Sequence, residues 1–99
     1  MSVEPAETGE PVRREVRIVN RRGLHARAAG KFAKLAESFS AHIVVEKDEM
    51  SVEGTSIMGL LMLSASAGTS IAIAASGPEA AAALDALTGL VAGGFEETD

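Results

Sequence analysis

The 99-residue chain is 46% hydrophobic and 23% charged, enough for one domain built on one core. It has no cysteine, which excludes a disulfide scaffold, Cys-based zinc sites and thiol catalysis. A net charge of −5 and only three aromatics (Phe32, Phe39, Phe95) argue against a nucleic-acid platform, and no apolar run approaches the ~20 residues of a membrane span.

Residues 1–11 carry Glu4, Glu7 and Glu10, two prolines and no apolar periodicity, and read as a mobile tail with no signal core. The expected compartment is therefore the cytoplasm. From Val12 to Asn20 the alternation Glu15-Val16-Arg17-Ile18 predicts a half-buried strand, followed by a turn at Asn20-Arg21-Arg22-Gly23. A helix is predicted from about Ala26 to Ser38, with Ala29, Phe32, Leu35, Ala36 and Phe39 at helical spacing. Residues 12–35 hold eight basic residues against Glu15 alone, so nearly all the positive charge lies here; residues 36–99 balance to −9. Such a segment is either a solvated surface or a docking face for an acidic or phosphorylated partner.

Ala41 to Glu46 is rich in strand formers, and Lys47-Asp48-Glu49 predicts a tight turn into a short strand, Met50 to Glu53. After Gly54-Thr55-Ser56 the run SIMGLLMLS predicts a nine-residue helix. Thr69 to Ser76 alternates again, with Ile71, Ile73 and Ala75 on one face. A third helix is predicted to open at Gly77-Pro78-Glu79, with Pro in its first turn and Ala80, Ala83, Leu84, Leu87 and Val91 as its apolar stripe. Gly93-Gly94 ends it, and the domain is bounded as 12–95 with 96–99 as an acidic tail. The order βαββαβα implies an α+β fold, a four-stranded antiparallel sheet with three helices on one face. Ferredoxin-like domains that bind small molecules share the βαββαβ core, so the fold does not choose the function.

The chemistry is concentrated at His25, which follows Gly23-Leu24 and immediately precedes the first helix. There the ring meets backbone N–H groups that lack intrahelical partners, and the positive end of the helix dipole disfavours imidazolium. Those amides form a receptor for a phosphoryl group, Arg27 can add a guanidinium, and Gly23 lets the backbone turn closely before the ring. The alternative is a simple histidine cap beside a surface arginine. No Cys, second His or loop carboxylate stands ready for hydrolysis, so the arrangement suits carrying a phosphoryl group better than hydrolysing one.

The run NRRGLHARAAGKFAKLAESF resembles the active-site signature of HPr, the histidine-containing phosphocarrier of the phosphoenolpyruvate-dependent phosphotransferase system. The run GTSIMGLLMLSASAGTSIAIAASG resembles that family's second signature, at the matching interval; together they span roughly residues 13–92. The resemblance implies an open-faced β-sandwich, phosphorylation of His25 through Nδ1, and Arg27 beside it. It also implies Enzyme I as donor, an Enzyme IIA-type protein as acceptor, no cofactor or metal, and a monomer that binds neither nucleic acid nor membrane. Where the family usually has proline, this chain has Ala28, which supplies a donor but a looser first turn. The NRRGLHARAA run and Ala28 lean towards the regulatory, nitrogen-type branch over sugar transport.

The second helix has no polar side, so part of it must face water or a partner unless it lies unusually deep. By resemblance Ile57, Met58 and Leu61 match the family's docking surface, and Leu60 and Leu63 its core. Ser56 fits a helix N-cap; in many family members the matching serine is phosphorylated by a dedicated kinase, the HPr kinase/phosphorylase. Phosphate there would set negative charge beside the apolar patch, and a regulatory binding module working through that patch is the alternative function. Arg21 and Arg22 are simplest as solvated residues, but beside His25 they would help hold an acidic partner. His42 is expected on a strand surface with no ligand role.

Overall fold

The computed structural model describes residues 11–97, so the predicted N-terminal tail, apart from Pro11, and residues 98–99 of the predicted acidic tail lie outside the described residues. Four strands form one sheet: β1 (Val12–Arg17), β2 (His42–Lys47), β3 (Met50–Glu53) and β4 (Ser70–Ser76). They lie in the order β1-β4-β2-β3, and every neighbouring pair is antiparallel. Helices α1 (Ala26–Glu37), α2 (Ile57–Met62) and α3 (Ala80–Ala92) supply the second layer, and a 3₁₀ turn follows at Gly94–Glu96.

Register explains which side chains meet the helices. Ile73 of β4 lies opposite Arg14 on β1 and Val45 on β2, and Ala75 opposite Val12 and Ile43. Ile43, Val45, Ile71, Ile73 and Ala75 join Phe32, Leu60, Leu84, Leu87, Val91 and Phe95 in a single core. Alternate residues point to the uncovered face, where Arg13 bridges to Glu46 at 3.2 Å and His42 to Glu53 at 3.0 Å. Between them Ala72 and Ala74 are only 5% and 8% exposed although no helix covers that face. Long side chains from the flanking strands shelter these small residues with their aliphatic stems.

Three predicted boundaries change. The second helix spans six residues, not nine, because Leu63 caps it and Ser64 turns into the left-handed region at φ 52°. The third starts at Ala80: the Glu79 carboxylate accepts the Ser40 amide at 2.6 Å and makes no cap bond to its own helix. The first strand ends at Arg17, though Ile18 continues the pairing by exchanging backbone bonds with Thr69 and Gly68 at 2.8 Å.

Candidate functional site: a histidine at the mouth of α1

The loop from Asn20 to His25 is shaped by its backbone. Gly23 donates to the Asn20 carbonyl at 3.1 Å, closing the predicted turn, and itself adopts φ +69°. The next amide, Leu24, bonds to the Ala65 carbonyl at 2.9 Å, and a Cβ on Gly23 would lie 2.6 Å from that same oxygen. Glycine is thus required both by dihedral and by close approach to the loop after α2.

His25 is the N-cap of α1, with extended backbone, and its carbonyl accepts the first intrahelical bond from Ala29 at 2.8 Å. The amides of Ala26, Arg27 and Ala28 precede that first bond and form the positive mouth of the helix. Nδ1 accepts the Arg27 N–H at 3.3 Å, and the side chain is 18% exposed, so the ring is held against the amides yet remains reachable. Ala28 is fully buried, whereas Arg27 is exposed. Arg21 and Arg22 are exposed on the turn before the ring.

One functional neighbour escaped sequence reasoning. The Glu97 carboxylate, 72 positions along the chain, accepts a hydrogen bond from Nε2 of His25. Its other oxygen accepts the Asn20 side-chain amide at 3.0 Å, and that amide also donates to the Gly23 carbonyl at 2.9 Å. The bonds from His25 and then Asn20 hold the Glu97 carboxyl below the usual carboxylate range, outweighing desolvation, and the charge of Arg22 adds slightly. The only local signal was the acidic stretch after Phe95, which looks like a solvated terminus.

The flank of the site is apolar. Ile57, Met58 and Met62 of α2 are exposed, Met58 at 70%, while Leu61 is half-buried and Leu60 and Leu63 lie in the core. Leu60 and Leu63 thus lie in the core as the resemblance implies, and Met62 joins Ile57 and Met58 on the exposed side. Ser56 caps α2, its hydroxyl accepting the Gly59 amide at 3.0 Å. His42 stands on the open sheet face, away from His25. Among the described residues no helix is long and apolar enough to cross a membrane, and no cluster of His, Cys, Asp or Glu could hold a metal.

A family model described as "PTS HPr component phosphorylation site" matches residues 12–93. The chain belongs to the HPr family. Phosphocarrier protein HPr of Neisseria meningitidis is 43% identical over 86 residues, covering 87% of this chain and 97% of that one. Phosphocarrier protein NPr of Shewanella violacea is 45% identical over 84 residues, covering 85% and 92%. Among solved structures, HPr-C-His from Thermoanaerobacter tengcongensis superposes with a TM-score of 0.84 at 38% identity, over 89% of this chain and 99% of that one. HPr proteins are phosphocarriers of the phosphotransferase system and not catalysts, and the α+β architecture expected from the sequence is the architecture observed.

Proposed function

We propose that this HPr-family chain accepts a phosphoryl group on Nδ1 of His25 from phospho-Enzyme I and passes it to an Enzyme IIA-type protein. The observation that carries this reading is the position of the ring: a reachable imidazole whose Nδ1 already faces an amide at the mouth of α1. A phosphoryl group bonded to Nδ1 would find the Arg27 and Ala28 amides as donors and the Arg27 guanidinium as a counter-charge. Transfer between two ring nitrogens exchanges like bonds, so it should run near thermoneutrality in both directions. The protein's contribution is orientation and preset dipoles. Arg21 and Arg22 would draw an acidic partner while Ile57, Met58 and Leu61 supply the apolar contact. The domain would act as a monomer in the cytoplasm.

Incubation with Enzyme I and phosphoenolpyruvate should add one acid-labile phosphate, and H25A should add none. No uptake by the unsubstituted chain would instead leave a binding module working through the α2 patch. Phosphorylation of Ser56 by an HPr kinase would regulate either role, because its hydroxyl lies beside Ile57 and Met58 and added charge there would repel an acidic partner.

A further inference from the structure

Phosphoryl transfer through Nδ1 leaves the contact at the other ring nitrogen unexplained. A neutral imidazole carries one proton, and the nitrogen without it is the only one able to accept a hydrogen bond or attack phosphorus. In this structure Nδ1 accepts the Arg27 N–H, which places the proton on Nε2, where it is donated to Glu97. The two contacts thus agree on a single tautomer, the one that leaves the Nδ1 lone pair available.

The carboxylate is held from both sides. Asn20, 4% exposed, ties Glu97 to the loop that carries His25. On the C-terminal side Phe95 is fully buried in the core, and the Lys31 ammonium of α1 donates to its carbonyl at 2.7 Å. Phe95 and Glu96 both lie in the left-handed region, at φ 57° and 65°. Non-glycine residues adopt that conformation where surroundings impose it, and here it turns the chain back so that Glu97 reaches the ring.

We propose that Glu97 is a positioning residue for phosphoryl transfer: it fixes the His25 proton on Nε2 and stabilises the positive charge the ring gains when Nδ1 is phosphorylated. In the step, the Nδ1 lone pair forms the bond to phosphorus while the bond from phosphorus to the donor breaks, its electron pair returning to the donor. The Nε2 proton stays on the ring, which becomes cationic beside the Glu97 carboxylate. Onward transfer reverses these changes. The inference rests on His25 being the phosphoryl acceptor.

The test combines ¹⁵N NMR of the His25 ring with transfer rates from phospho-Enzyme I, on the full chain. The unsubstituted protein should show a protonated Nε2 and an unprotonated Nδ1. E97A should shift the ring towards a tautomer mixture and slow transfer roughly 10-fold or more, the scale at which losing a carboxylate partner affects a functional histidine. E97Q should keep the tautomer, because its amide oxygen still accepts from Nε2, and slow transfer less. E97K, which also serves if E97A does not fold, should slow it most. An unchanged tautomer and a rate within about twofold in E97A or E97K overturn the proposal, on the same measure of scale. If the unsubstituted chain takes no phosphoryl group, the reading of His25 fails, and the ring spectrum still decides whether Glu97 sets the tautomer.

Discussion

Gly23 illustrates how little freedom the residues around His25 have. Its φ of +69° and the Ala65 oxygen waiting 2.6 Å from any added Cβ act together, so G23A must move either its own loop or the one after α2. We expect G23A to lose roughly 1–3 kcal/mol of stability in urea denaturation and to accept phosphate more slowly, because the displaced loop carries the histidine. The position of His25 was legible in the sequence: a glycine turn followed by a histidine directly before an amphipathic run leaves the ring at a helix mouth. Glu97 was not legible. Its partner is 72 positions away, and the approach depends on left-handed backbone at Phe95 and Glu96, which no local pattern marks.

Among the helices, α1 was readable almost to the residue, since Ala29, Phe32 and Ala36 repeat on one face and a capping residue precedes them. Helix α2 is harder because every side chain in it but Gly59 is apolar, and periodicity then cannot mark where it stops. Tertiary packing decides instead, burying Leu60 completely while leaving Met58 outside. The two should respond oppositely to substitution. L60A should cost about 2–5 kcal/mol of stability through the cavity it leaves. M58D should change stability by no more than ~0.5 kcal/mol. It should nevertheless weaken binding to Enzyme I roughly 10-fold, the loss of one buried methionine at an interface. Calorimetric unfolding and titration against Enzyme I separate these effects. Helix α3 shows a different limit: Glu79 has the chemistry of a helix start, but the Ser40 amide claims its carboxylate first.

Across the whole molecule the strand order β1-β4-β2-β3 joins the last strand to both the first and the second, so the sheet closes only when distant segments meet. Alternation predicted the first and last strands, and strand-former content and a tight turn the two between, but nothing local placed β4 between β1 and β2. That follows from pairing Val12–Arg17 and His42–Glu46 to opposite sides of one strand. Phe95 completes the assembly from the C-terminal end and adds the one aromatic the predicted helical stripes did not include. F95A should lose about 3–5 kcal/mol, and backbone hydrogen exchange should rise at Gly94–Glu97 before it rises in β4.

The sheltered alanines of β4 carry a consequence for how this surface can vary. Ala72 and Ala74 lie beneath a bridge from Arg13 to Glu46, so a bulkier residue at either would have to lift a charged span off the sheet. The bare side of the molecule is therefore most constrained in size along its midline and most tolerant at its borders, the reverse of what exposure of the sheet as a whole would suggest.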